Sequence, residues 1–402
     1  MISGMDQQSN HSVIMYKWVV LAAIVTVFML VAASQLASVS PSIPIFMDVF
    51  NINATIAGLL TSVWALARII ISLPAGGIAT RFGGKTSYLL GIMFSITGWV
   101  IVTVSPNYLF ILVGRFVMGF GAGTMSVAGP LIISEWFPRN LMSTAMGFWA
   151  IAMPLGILWE LPLIAWLIHS WGWRQAYMIF VFTSLMTAIP LLLILRRQPP
   201  YPLKSSESGK PVNRFEILNN HAFIATCVAV FFGLGLWSIY STYIVKWCMV
   251  KGYDYMAASL FATVLNLGCV ISQVASGVIS DKVLGGRQKP TFLVGVIISA
   301  LTTLVFPFTD SIPVTLITIL LTGIGLAPIT VAMFAIPIKI AKPEQRGIAM
   351  GITGIFMYAS YMLSLLAGYV FDTYGLVAAC LATSVIGFIC VLVLVVGLRV
   401  RV

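Results

Sequence analysis

The sequence predicts an all-α membrane protein of twelve transmembrane helices, arranged as two six-helix halves related by pseudo-symmetry. Three observations predict it. Of the 402 residues 60% are apolar and only 8% charged, against roughly 25% charged in an ordinary soluble domain. The apolar residues run in continuous stretches close to the ~20 residues a helix needs to cross a bilayer. A long polar segment divides the chain near its midpoint, and motifs before it recur after it.

Composition removes whole classes of function. The mean hydropathy is +1.03, and 22 Lys and Arg with 11 Asp and Glu cannot coat a soluble protein of this size. Lipid and other helices are therefore the solvent for most side chains. The net charge of +11 forms no contiguous basic stripe, so a nucleic-acid partner is not expected. Cys227, Cys248, Cys269, Cys380 and Cys390 read as small core residues rather than a disulfide framework. His11, His169 and His221 have no metal-ligand spacing. No metal and no cofactor are expected.

The predicted spans are 18–40, 54–78, 86–104, 108–133, 143–168, 174–195, 222–246, 256–280, 291–308, 314–338, 347–371 and 376–398. Residues 1–17 read as a polar tail, and the run from Trp18 to Ser40 is too long for a signal peptide. Residues 18–195 make the first half, 222–398 the second, and 399–402 a short tail. Between the halves lie residues 196–221, rich in Pro, Ser and Asn with five Lys or Arg, which is the composition of a linker. The stretches do not alternate, which excludes a membrane barrel. Asn53-Ala54-Thr55 is a formal glycosylation sequon, but it abuts span 2 and reads as unused.

Orientation follows from the basic residues. With the N-terminus inside, 17 of the 22 fall on the inner side. Arg174, Lys246 and Lys251 fall outside, and Arg68 and Arg115 fall within spans. The expectation is a multi-pass protein of the cell membrane with both termini cytoplasmic.

The halves repeat. Gly76–Lys85 after span 2 resembles Gly277–Arg287 after span 8, with Thr80 and Asp281 201 residues apart. Ala145-Met146-Gly147 recurs as Ala349-Met350-Gly351. Repeats flanking a linker are the pattern of alternating-access carriers, whose substrate sits between the halves near mid-membrane.

These motifs resemble the major facilitator superfamily. Its loop signature, Gly-x-x-x-Asp-Arg/Lys-x-Gly-Arg-Lys/Arg, keeps Gly277, Asp281, Lys282 and Arg287 in the second copy. The first copy keeps Gly76, Arg81, Gly83 and Lys85 but has Thr80 in place of Asp. Gly114-Arg115-x-x-x-Gly119-x-Gly121-x-Gly123, Pro343–Gly347 and Gly172-Trp173-Arg174 also fit. The resemblance implies an inner gate of Arg81, Lys85, Asp281, Arg287 and Arg346, with Asp281 facing the positive start of span 11 near Gly347. The stretch Ser72–Lys85 is similar to nitrate/nitrite porters. Those carry an anion-binding Arg where this chain has Ser72 and Gln273, which argues against nitrate.

Charges inside spans are costly and mark function. Arg115 lies 19 residues from the inner end of span 4, and Glu160 lies 18 from the inner start of span 5. At 1.5 Å per residue they share one height, so a pair or a shared network is expected. It would serve either proton coupling or static packing. Arg68 lies about 18 Å from the inner edge with no acid at its height in the first half. It invites an anionic ligand or a carbonyl cluster, or it snorkels to an interface. Gln35 is a possible neighbour. In the second half Tyr240, Asn266, Gln273, Tyr358 and Tyr361, with Trp237 nearby, are candidates for lining a pocket for a small organic molecule.

The resulting expectation is a monomeric secondary transporter of a small solute, an organic or inorganic anion, coupled to protons. The alternatives are an exporter of amphipathic or cationic compounds and a transporter-like nutrient sensor. An enzyme is not expected, since no paired carboxylates, Ser/His/Asp set or metal spacing is present. No phosphate-cradling loop is present either.

Overall fold

The computed structural model describes residues 16–137, 142–195, 216–284, 287–341 and 346–397. Among them the chain is helical, and eleven helical segments are long and apolar enough to cross a membrane. The last of these, Ala349–Gly397, contains a backbone break at Gly375 and is two helices. We number the twelve helices α1 (Tyr16–Phe50), α2 (54–82), α3 (84–103), α4 (Tyr108–Trp136), α5 (Met142–Trp171), α6 (Trp173–Ile194), α7 (His221–Val250), α8 (Tyr255–Val278), α9 (Lys289–Val305), α10 (Ile312–Ile340), α11 (346–374) and α12 (376–397). The face where α1 begins is called near, the opposite face far.

Local chemistry sets the ends. Side chains of Asn53, Asn107, Asn220 and Asp254 accept from the first free amides of α2, α4, α7 and α8. Asn53, the sequon residue, is thus an N-cap. The tight reversals α2–α3, α5–α6 and α11–α12 each turn on a glycine at φ near +83°, namely Gly83, Gly172 and Gly375. Only glycine adopts that region without strain. These are the second-to-third-helix joints of three of the four three-helix units, the pattern of nested repeats.

The first helix departs from expectation. It runs ten residues past Ser40, through Pro41 and Pro44, to Phe50. Neighbouring hydroxyls take up backbone carbonyls along this stretch: Ser38 Oγ donates to Gln35 O (3.1 Å) and Ser42 Oγ to Ser38 O (2.6 Å). Nearer its start α1 holds a π-helical turn, Met29–Ala33. Gly156 of α5 packs there: a Cβ at 156 would lie 2.5 Å from Ala33 Cβ and 3.1 Å from Met29 O.

Small residues close the bundle, and they do so twice. A Cβ on Gly121 of α4 would meet Ser95 Oγ and, at 2.6 Å, Gly91 O of α3. A Cβ on Gly325 of α10 would meet Ser299 Oγ and, at 2.5 Å, Gly295 O of α9. Each second residue lies 204 positions after the first. Gly119 lies against Trp64 O in α2, and Gly323, again 204 later, against Leu265 O in α8. Backbone approach of this kind replaces the hydrophobic drive that lipid removes. Gly119→Ala is therefore expected to destabilise by about 1–3 kcal/mol through overpacking, read as a lower unfolding temperature in detergent. An unchanged temperature would show that α2 and α4 can part freely.

Candidate functional site

Arg68 sits on α2 where the two six-helix sets meet. The residue is 5% exposed. Nη2 donates to Ser126 Oγ of α4 (2.7 Å) and to Tyr358 OH of α11 (2.9 Å). The carbon of the guanidinium lies 4.6 Å from the Trp64 ring centre and 4.3 Å from that of Tyr358, both within cation–π range. Nε is buried and has no hydrogen-bond partner. The charge is thus held by neutral hydroxyls and ring faces, with donor capacity to spare.

The other expected residues fall into three groups. Tyr358 and Tyr361 come to this place, the Tyr361 ring lying 5.8 Å from Trp64 and 6.0 Å from Trp237. Gln35 stands one layer behind: Nε2 donates to Ser95 Oγ (2.9 Å) and Oε1 accepts from Trp64 Nε1 (2.8 Å). Both polar atoms of the amide have protein partners, and the side chain braces Trp64. Asn266 donates to Ala262 O within its own helix, and Gln273 is half-buried about two turns nearer the near face. Tyr240 does not line the site. Its hydroxyl donates to Thr303 Oγ1 of α9 (2.9 Å), because that face of α7 turns into the second helix set. Among the gate residues, Lys85 is half-buried and Arg287 exposed. The side chains of Arg81, Asp281 and Arg346 lie outside the described residues.

The expected union of Arg115 with Glu160 is not formed. Arg115 Nη1 donates to Gln35 O of α1 (2.6 Å) and Nε to Leu60 O of α2 (3.1 Å), stapling three helices. Glu160 is 1% exposed and its Oε2 has no partner. It lies one turn beyond Gly156, on the face of α5 that packs on α1. Equal depth fixed the height of the two residues but not their bearing around the axis, and α1 contacts both helices.

Sequence reading missed the contacts that seal the far face. The carboxylate of Asp372, near the end of α11, accepts from Ala54 N (2.8 Å), Thr55 N (2.7 Å) and Thr55 Oγ1 (2.6 Å) at the start of α2. Tyr243 of α7 donates to Ala54 O (2.7 Å), with its hydroxyl wedged where a side chain on Gly58 or Gly368 would stand. Thr61 pairs with Thr242 (2.8 Å), Ser62 with Ser364 (3.2 Å), and Tyr255 donates to Pro41 O (3.2 Å). Among the described residues, hydrogen bonds between the two helix sets run from Arg68–Tyr358 toward the far face. The available sequence signal was Asp372 standing at the end of one span opposite the N-cap of another.

A twelve-helix bundle closed at one face, with a polar site between its repeated halves, is a carrier of small solutes rather than an enzyme. The chain belongs to the Major Facilitator Superfamily, whose sequence pattern matches residues 23–289 and 256–402. It is 23% identical over 366 residues to a probable galactarate/D-glucarate transporter of Bacillus subtilis, covering 81% of this chain and 79% of that one. It is 22% identical over 259 residues to the hexuronate transporter of Escherichia coli, covering 58% and 59%. In fold it is similar to a bacterial homolog of the human lysosomal transporter Spinster, inward-facing and unoccupied, with a TM-score of 0.82 and 16% identity over 96% of this chain and 97% of that one. It is a multi-pass membrane transporter of a small solute.

Proposed function

We propose that the protein moves a small organic or inorganic anion across the cell membrane by alternating access, coupled to protons and working as a monomer. Residues 18–195 rock against residues 222–398 about the Arg68 site, joined by the 196–221 linker, with both termini cytoplasmic. One observation carries the anion assignment: Arg68 is buried, holds an unpartnered Nε, and is bonded to neutral hydroxyls only. A buried cation without a counter-ion is costly, and an anion entering beside it recovers that cost. Relatives named for acidic sugars point the same way.

In this reading the far face is closed by Asp372 and Tyr243, and solute enters from the near, cytoplasmic face. An anion reaching Arg68 competes with Tyr358 for the same guanidinium nitrogen. Since Tyr358 belongs to α11 and Arg68 to α2, occupancy at that atom changes a bond between the two halves. This gives the solute a differential interaction with the open and closed states, which a ligand needs in order to shift them.

Glu160 is the proton site in this proposal. It is enclosed and its Oε2 is unpartnered, so exchanging a proton requires α5 to move against its neighbours. Glu160→Gln is expected to abolish accumulation driven by a pH gradient in proteoliposomes while sparing solute counterflow, which needs no net proton. Full gradient-driven accumulation in Glu160→Gln would remove Glu160 from coupling.

A further inference from the structure

We propose that the carried anion is a monocarboxylate with a flat or apolar body, and that dicarboxylates are excluded. This rests on the anion reading above and narrows it.

The argument is a count of cations. Of the 22 Lys and Arg, only Arg68 and Arg115 fall deep within spans. Arg115 is not available to solute. Nη1 and Nε are spent on the carbonyls of Gln35 and Leu60, and Nη2, though unpartnered, is buried with no room beside it for a solute. The cavity beside it, lined by Ser38, Leu60, Trp99 and Tyr177 among others, measures about 10 Å³, room for about one water and too little for a carboxylate. That leaves Arg68.

The repeat then shows what stands opposite. Trp64 and Leu265 are equivalent, each with its carbonyl under the matching glycine of the fourth or tenth helix. They are 201 residues apart, as are Thr80 and Asp281. The same offset takes Arg68 to Cys269, a buried neutral thiol. The second half of the site therefore repeats the position without the charge. A symmetric pair of arginines would hold a dianion; this site has half of that arrangement.

The remaining surroundings of Arg68 are ring faces. Trp64 and Tyr358 flank the guanidinium, and Tyr361 bridges Trp64 to Trp237. One carboxylate meets the Nε edge of Arg68 in the forked geometry that guanidinium favours. A second carboxylate on the same solute keeps its water only while the near face is open. When that face closes the group is stripped of water with no cation to meet it, which is prohibitive. The relative named for galactarate and D-glucarate is named for dicarboxylates, so this chain is set apart from it by charge.

The test uses the purified full-length protein and matched pairs with flat or apolar bodies: benzoate with phthalate, and hexanoate with adipate. Binding is read by quenching of tryptophan fluorescence at fixed pH and ionic strength. In each pair that binds, the monocarboxylate is expected to bind at least tenfold more tightly, and that binding is expected to vanish in Arg68→Gln. A Cys269→Arg variant, which restores the second cation, is expected to shift the preference toward the dicarboxylate by about tenfold; wild-type discrimination stands as the test if that variant fails to fold. A dicarboxylate binding as tightly as or more tightly than its partner in the wild type would overturn the proposal and leave the anion reading intact. Binding of neither pair, with organic cations binding in their place, would overturn both.

Discussion

Arg68→Ala is expected to lower the affinity for the carried anion by at least about 100-fold and to bring uptake to background. Among the described residues, the side chain supplies the one interior cation with room for a solute beside it. A hydrogen bond to a charged group is worth about 1.5–3 kcal/mol, and a forked pair makes two of them. Even the lower end of that total, about 3 kcal/mol, is about two decades in dissociation constant. Arg68→Lys keeps the charge but loses the fork and the planar contact with Trp64 and Tyr358, so an intermediate loss of about tenfold is expected. The ranking Arg over Lys over Ala separates recognition from packing, because a purely packing role would make Lys and Ala alike. Titration calorimetry of the three proteins against one bound carboxylate checks it. Equal affinities would place the solute elsewhere.

The second large effect is at the far face. Asp372→Ala removes acceptors for Ala54 N, Thr55 N and Thr55 Oγ1, and leaves the first turn of α2 without its anion. Asp372 is exposed, so water and salt discount the contribution to about 1–2 kcal/mol. That is still about a tenfold shift in population toward a state open at the far face. The geometry turns the expected inner gate upside down: there an acid after a second or eighth helix faces the start of another, and here an acid ending the eleventh faces the start of the second. In a cysteine-free background with a single cysteine at Thr61, an impermeant maleimide applied from the far side should label the Asp372→Ala protein about tenfold faster. Asp310→Ala, at another exposed far-face acid, should leave the rate unchanged. An unchanged rate in Asp372→Ala would show that Tyr243 and the threonine pairs close the face without it.

The fold was legible because bilayer physics is severe. Spans, linker and repeat all follow from where charge is missing and where motifs recur, and the break at Gly375 separates α11 from α12 where the apolar pattern divides. Helix 1 was less legible. Its predicted span ends at Ser40, while the helix continues through Pro41 and Pro44 to Phe50. The site was legible in part. Arg68 stands out as a charge in a span, and Tyr358 and Tyr361 as polar aromatics at the right depth. Bearing around a helix axis is what a single sequence conceals. It separates Arg115 from Glu160 despite equal height, sends Tyr240 into the core, and commits Gln35 to Trp64. Ser126 was hidden for a simpler reason, since serines in spanning helices most often bond their own backbone, as this one also does to Ala122 O.

The central claim is that one anion site between the halves is reached from each side of the membrane in turn. A single cysteine in place of Ser126, beside Arg68, tests it in sealed vesicles of both orientations. Impermeant maleimide is expected to label position 126 readily from the near side in the wild-type background and from the far side once Asp372→Ala is added, with a bound monocarboxylate protecting in both cases. Labelling from one side alone in every background, or labelling that no carboxylate slows, would contradict the account.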